Sequence, residues 1–299
     1  MNALVMSGGA TKIVGQYGIV EQIYKDYKPE IIAGNSAGAI LSFLLPTINW
    51  ENGDDIKIKD ALLNLQPNNI WKINPSNSKG GMSILAVLRG ILGYPSLGNM
   101  SKMKDFLSSY VSINDFYTKI ATNDDIKHLF VGSICYNTGH RAYIDIKNCT
   151  YMQALDWVLA SASIPVYTPP FKYNGYYYYD GGVRDHNPGP WVLENHGKDI
   201  TNLISIYSRP EDYNMIDQKW SPKNVYKVLE RTIEILQVEI SKSDEIEEKL
   251  LCKENNVNLS QLFLPNVLES LYDMKKDNLL ELYKQGVKIG KSYNEKINQ

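Results

Sequence analysis

The chain has little of what usually announces a metal centre, a disulfide scaffold or a membrane span. Its three cysteines, Cys135, Cys149 and Cys252, are too few and too scattered among 299 residues for a disulfide framework or a thiolate cluster. That scarcity points to a reducing, cytoplasmic setting. There are four histidines, no His-Glu-x-x-His pair and no clustered Asp/Glu loop, so neither a metal nor a cofactor is expected. No apolar run reaches the length of a transmembrane helix, and no basic stretch leads into an apolar one as in a secretory leader. Charge of one sign is also missing. With 31 basic against 33 acidic residues the formal net charge is −2. No nucleic-acid partner is expected, and any membrane contact has to be local and peripheral. A phosphate loop of the G-x-x-x-x-G-K-[ST] type is absent, because Lys12 is followed by Ile13.

What is present begins with Gly34-Asn35-Ser36-Ala37-Gly38. Apolar Ile31-Ile32-Ala33 leads into it and Ala39 to Leu45 follows, which reads as a buried strand, a sharp turn and a buried helix. Glycine at both ends permits the turn. The geometry lifts the Ser36 hydroxyl to a helix N-terminus, where free N–H groups favour developing negative charge. This is the nucleophile-elbow pattern of a serine hydrolase.

Upstream, Ala3 to Met6 reads as a parallel strand ending at Ser7-Gly8-Gly9, and Ile13 to Tyr27 carries apolar residues at helical spacing until Pro29. The opening is therefore βαβα, the start of a parallel sheet with helices on both faces. Two glycine turns at neighbouring strand ends lie on one rim, where open α/β sheets place their sites. The Gly8-Gly9 amides are candidates for an oxyanion hole, with a plain packing turn or a phosphate cradle as the alternatives.

Residues 46 to 125 are less regular. Within them Met82 to Leu92 is apolar nearly all round and bracketed by Gly80-Gly81 and Gly93. A mostly buried helix is the first expectation; a lid or membrane-facing flap is the alternative. Strands are predicted at Leu129–Ile134 and Ala142–Ile146 around an Asn137-Thr138-Gly139 hairpin turn, with a helix over Tyr151–Ser161. Tyr176 to Tyr179 deliver Asp180 into Gly181-Gly182, which taken alone is ordinary turn chemistry. Leu203–Tyr207 reads as one more strand. Beyond it, Val225 to Ile240 and a region from Leu268 to Ile289 (Leu271 and Tyr272 included) carry helical stripes, so residues 211–299 are expected to be a helical region packed on a domain spanning 1–210.

Three separated motifs make the chain resemble the patatin-like phospholipases, serine lipid acyl hydrolases. Gly8-Gly9-Ala10-Thr11-Lys12 resembles the glycine-rich oxyanion loop with its basic residue. Gly34 to Gly38 matches the nucleophile elbow. Asp180-Gly181-Gly182, with Ala160-Ser161-Ala162-Ser163-Ile164-Pro165 before it and Asn187-Pro188 after it, matches the block that carries the catalytic aspartate. Two positions depart from the pattern: Ala10 stands in place of the third loop glycine, and Ile13 in place of the glycine after the basic residue. A Cβ at Ala10 disfavours positive φ.

The resemblance implies a three-layer α/β/α fold with a mostly parallel sheet, plus C-terminal helices. It implies a Ser36–Asp180 dyad with no histidine, and an oxyanion hole from Gly8, Gly9 and Ala10. Lys12 is either an anion contact or an exposed helix-start lysine. The implied substrate is a phospholipid or another acyl lipid, cleaved through an acyl-enzyme. A lipase, a lysophospholipase or an acyltransferase fits the same dyad, and so does a non-catalytic protein that binds lipid or a partner. The rival serine-hydrolase fold needs a Ser-Asp-His triad. His186 and His196 follow Asp180 in the right order, but too few strands precede Ser36, and both histidines are expected at the surface or in loops.

Overall fold

A computed structural model describes residues 1–50, 54–77, 81–213, 220–268 and 272–297. Gly80 and Leu271, which figured in the sequence reading, lie outside them. The chain opens with β1 (Asn2–Met6), α1 (Ile13–Tyr27), β2 (Ile31–Asn35) and α2 (Ala37–Leu44). A helical insertion follows: α3 (Asp54–Leu63), α4 (Pro67–Ile70), α5 (Ile84–Ile91), α6 (Lys102–Tyr110) and α7 (Ile113–Asp115). Next come β3 (His128–Cys135), β4 (Arg141–Asp145), α8 (Tyr151–Ser161), β5 (Phe171–Tyr173), β6 (Tyr176–Asp180), α9 (Gly189–His196) and β7 (Asn202–Tyr207). The last elements are α10 (Val225–Asn255), β8 (Asn258–Phe263) and α11 (Lys276–Ile297).

The strands form one sheet in the order β5-β6-β3-β2-β1-β7-β8, with β4 also paired to β3. From β3 to β8 along that order every pairing is parallel, while β4, β5 and β6 join antiparallel. Alternation along the central strands sorts side chains into two cores. Leu4, Met6 and Ile32 face one way, towards residues of α1, α2 and α8; Ala3, Val5, Ile31 and Ala33 face the other, towards Val192 and Leu193 of α9 and Cys252 of α10. The result is the three-layer α/β/α architecture with a mostly parallel sheet.

The C-terminal region is not helical alone. β8 extends the sheet beyond β7 in parallel register, Asn202 opposite Asn258 through Tyr207 opposite Phe263. Sequence periodicity missed it because Leu259, Leu262 and Phe263 do not alternate. The left-handed Asn256 that ends α10 (φ 57°) and Pro265 mark its limits. α11 then lies along α1 at glycine contacts, where a side chain on Gly18 or Gly286 would strike the backbone of the other helix.

The short helix expected at Met82 to Leu92 forms, as α5, but it is not buried. Ile84 is 81% and Ile91 75% exposed, and among its residues Ala86 is the buried one.

Candidate active site

β1 sits at the centre of the sheet, leading through α1 to β2 on one side while β7 joins on the other. The chain diverges at the carboxyl end of β1, the switch point at which doubly wound sheets leave a crevice. Ser7-Gly8-Gly9 follows β1, and Ser36 follows β2, within that crevice.

Ser36 occupies a strained backbone conformation, φ 54° and ψ −117°, directly before α2. The two glycines of the pentapeptide are there for space. A Cβ on Gly34 would fall inside the Gly38 backbone, and one on Gly38 would strike the Met6 carbonyl oxygen. The elbow is clamped from the far side of the sheet order as well. The Ser36 N–H donates to Ser161 Oγ at 3.0 Å, and Asn35 Nδ2 donates to the Asp185 carbonyl at 2.5 Å.

Strand register brings Asp180 to Ser36. Asn35 pairs with Gly132 of β3, and the next β3 residue, Ser133, pairs with Asp180 of β6. The aspartate is therefore level with the elbow, two strands across, although β6 runs antiparallel. Its Oδ1 accepts the Gly182 N–H at 2.8 Å. Its Oδ2 is buried and has no hydrogen-bond partner among the described residues. Burial pushes the Asp180 carboxyl up to about 7, against the opposing pull of the Ser36 hydroxyl and the Gly182 N–H. A carboxylate with a free lone pair and a pKa near neutrality, beside a serine, is equipped to take that serine's proton.

The glycine loop is more constrained than its sequence suggests. The Gly8 N–H, expected among the oxyanion donors, is committed to the His186 carbonyl at 2.9 Å. That leaves the amides of Gly9 and Ala10. Gly9 has φ 154°, and a Cβ there would press on Ser208. Ala10 adopts φ 48° in spite of its Cβ, a left-handed conformation that costs ~1 kcal/mol for a non-glycine residue. Ala10 and Ser36 line the same narrow cavity, of about 50 Å³. Its other walls are apolar, among them Ile40, Leu65, Met103 and Ile164. Lys12 Nζ donates to the Ser208 carbonyl at 2.8 Å, and burial lowers its pKa to about 8 against the attraction of Glu234.

His186 is a loop residue but not a surface one. It is 5% exposed, and its ring lies against the Gly8 and Gly182 backbones. Burial, helped by the positive charges of Lys12 and Arg209, lowers its pKa to about 3. Its Nδ1 has no hydrogen-bond partner among the described residues, so no carboxylate orients the ring as a triad requires. His196 is elsewhere, packed with His128 and Trp191. Sequence reasoning also passed over Asp244, whose Oδ2 accepts the Asn187 N–H at 2.8 Å and so ties α10 to the loop that follows Asp180. It lies mid-helix, with nothing local to distinguish it from its charged neighbours.

The family profile described as patatin-like phospholipase matches residues 4–189. A protein of Invertebrate iridescent virus 6 described as "Probable lipid hydrolase 463L" is 24% identical over 219 residues, 69% of this chain and 71% of that one. Among solved structures, VipD from Legionella pneumophila aligns with a TM-score of 0.47 and 15% identity, over 97% of this chain and 66% of that protein. With the family profile covering well over half of its length, this chain belongs to the patatin-like phospholipases, serine hydrolases that act on lipid esters through a Ser-Asp dyad and an acyl-enzyme.

Proposed function

We propose that the protein is a lipid acyl hydrolase of the phospholipase A type in which Ser36 is the nucleophile and Asp180 the sole general base. One observation carries the assignment: a buried carboxylate with an unpartnered oxygen, level with a serine strained at a strand-to-helix elbow. In the first half-reaction Asp180 Oδ2 takes the Ser36 proton as Oγ attacks the ester carbonyl. The amides of Gly9 and Ala10 receive the oxyanion, and the apolar cavity beside Ser36 receives the acyl chain. Collapse expels the alcohol, which recovers the proton from Asp180 and leaves an acyl-Ser36 ester. In the second half-reaction Asp180 deprotonates a water that attacks this ester, and the fatty acid departs as Ser36 recovers its proton. Lys12, held on Ser208 next to the loop, adds positive potential near the developing charge when protonated.

A peripheral encounter with lipid belongs to the same reading. No helix among the described residues is long and apolar enough to cross a membrane. The deciding experiment is incubation with mixed lipids and identification of released fatty acids by mass spectrometry, beside labelling with a serine-reactive fluorophosphonate. Label on Ser36, and loss of both label and release in Ser36→Ala, is the expected result. Fatty-acid release surviving in that variant would move the nucleophile elsewhere.

A further inference from the structure

α5 is amphipathic, but its apolar side is turned outward. Ile84, Leu85, Leu88, Ile91 and Leu92 follow the spacing by which a soluble helix fills a core, and all five are exposed. Tyr94 continues the exposed run past the helix end. The polar groups are the ones turned inward. Ser83 caps the helix through the Ala86 N–H, and Arg89 is bound to the Ser96 carbonyl and hydroxyl while it covers the Tyr94 ring. The exposed face is thus rigidly presented on a structured hairpin. A contiguous apolar surface of this kind marks an interaction site.

Two further observations say what covers it. The first is position. Strand-like contacts fasten the hairpin to the rim of the Ser36 cavity: the Leu97 N–H donates to the Val166 carbonyl at 2.7 Å and the Gly98 N–H to the Tyr167 carbonyl at 2.9 Å. Met100 and Ile164, just beyond these contacts on each side, line the cavity itself. The second is charge. None of the chain's 33 acidic residues falls between Asp60 and Asp105, whereas five basic ones do. Of these, Lys104 is paired with Asp156 and Arg89 is held by Ser96, which leaves Lys72 and Lys102 as the described cations beside the hairpin. Lys72 and Lys102 are exposed near the base of the hairpin, where the Lys72 N–H donates to the Asn99 carbonyl. An acid-free, cation-flanked apolar helix in a chain of net charge −2 matches an anionic bilayer, into which its apolar face inserts while the cations meet lipid phosphates.

We propose that the α5 hairpin docks the protein on an anionic lipid surface and sets the mouth of the Ser36 cavity against it. The idea rests on the lipid-ester reading of the site, and its test separates the two. Binding is measured with Ser36→Ala, so that turnover cannot alter the vesicles. These are made of phosphatidylcholine alone, or of phosphatidylcholine and phosphatidylglycerol in equal parts. The expected result is binding at least ~10-fold tighter to the mixed vesicles, weakened by salt. Ile84→Glu with Ile91→Glu should lower that binding by at least ~10-fold. In the Ser36 background the same pair should lower vesicle hydrolysis in parallel while sparing the melting temperature and the turnover of a short soluble ester. Lys72→Gln and Lys102→Gln should each remove about fivefold of the anionic preference and leave folding unchanged.

Equal binding to both vesicle types, or vesicle binding untouched by the isoleucine pair, overturns the proposal. So does a stable dimer in light scattering that the isoleucine pair dissolves, because the face would then be covered by a second copy. A wild-type protein that binds as described but cleaves neither vesicle lipid nor soluble ester leaves docking standing and sinks the dyad.

Discussion

Asp180→Asn separates the chemical role of the carboxylate from a structural one, because the two predict opposite stability changes. The Asp180 pKa is raised from an ordinary 3.8 to about 7, so over that interval the native chain holds a proton that the unfolded chain has released. Stability therefore falls as pH rises through the interval and levels off above it. At ~1.4 kcal/mol per unit, the buried charge costs the native state ~4 kcal/mol at about pH 8. Asparagine keeps an oxygen for the Gly182 N–H but places an NH2 where Oδ2 has no partner. That unsatisfied donor takes back ~1–3 kcal/mol.

The variant should therefore be more stable than wild type by ~1–3 kcal/mol at about pH 8 and less stable by a similar amount at about pH 4. Turnover should meanwhile fall by ~10³-fold or more, the scale of losing the base. Urea unfolding at the two pH values measures the difference, in which the other buried acids, Asp244 and Glu248, cancel because both proteins contain them. Equal destabilisation at both pH values would refute the reasoning: Asp180 would then be a turn residue whose carboxylate bears no desolvation cost.

The wild-type pH profile follows from the same group. A base must be unprotonated to act, so kcat/KM for a soluble ester should rise through about pH 7, and a profile flat from about pH 5 to 8 would remove Asp180 from the proton transfer. His186→Ala should retain soluble-ester turnover to within ~10-fold, since the carbonyl that binds Gly8 is main chain, and a loss of ~10³-fold would restore a triad. Ser161→Ala should lower kcat at unchanged KM and cost ~1–3 kcal/mol in chemical denaturation, because the buried Ser36 N–H loses its acceptor; an unaltered kcat would show that the elbow holds its geometry unaided. Gly38→Ala should lose ~3 kcal/mol or fail to accumulate in soluble form, because the new Cβ meets the Met6 carbonyl rather than a movable side chain, and a melt within a degree or two of wild type would contradict the packing.

Much of the fold was legible in local pattern. The β1-α1-β2-α2 opening, the Asn137-Thr138-Gly139 hairpin and the α8 helix each carry their periodicity and punctuation within a dozen residues. Ser36 could be read for the same reason, since strand, glycines and following helix are contiguous and each glycine answers a clash that its neighbours create. Asp180 was not legible alone. It became informative only through its resemblance to a family block, because an acid before two glycines is ordinary in any turn.

Tertiary structure decided what depends on distant partners. Strand register sets Asp180 level with Ser36, through Asn35–Gly132 and Ser133–Asp180 pairs that no sequence spacing encodes. The loop around His186 commits the Gly8 amide, expected from the resemblance to be an oxyanion donor, to the His186 carbonyl, and buries a histidine whose sequence neighbours are polar. β8 forms because β7 offers it an open edge, although its own residues lack alternation. The face of α5, for which a buried helix was the first expectation and a lid or membrane-facing flap the alternative, could not be settled from sequence for the complementary reason. Helical periodicity specifies that one side is apolar, but whether that side meets protein or solvent depends on what the rest of the chain leaves uncovered. Here the described residues leave it bare, on a hairpin whose returning arm bonds to Val166 and Tyr167.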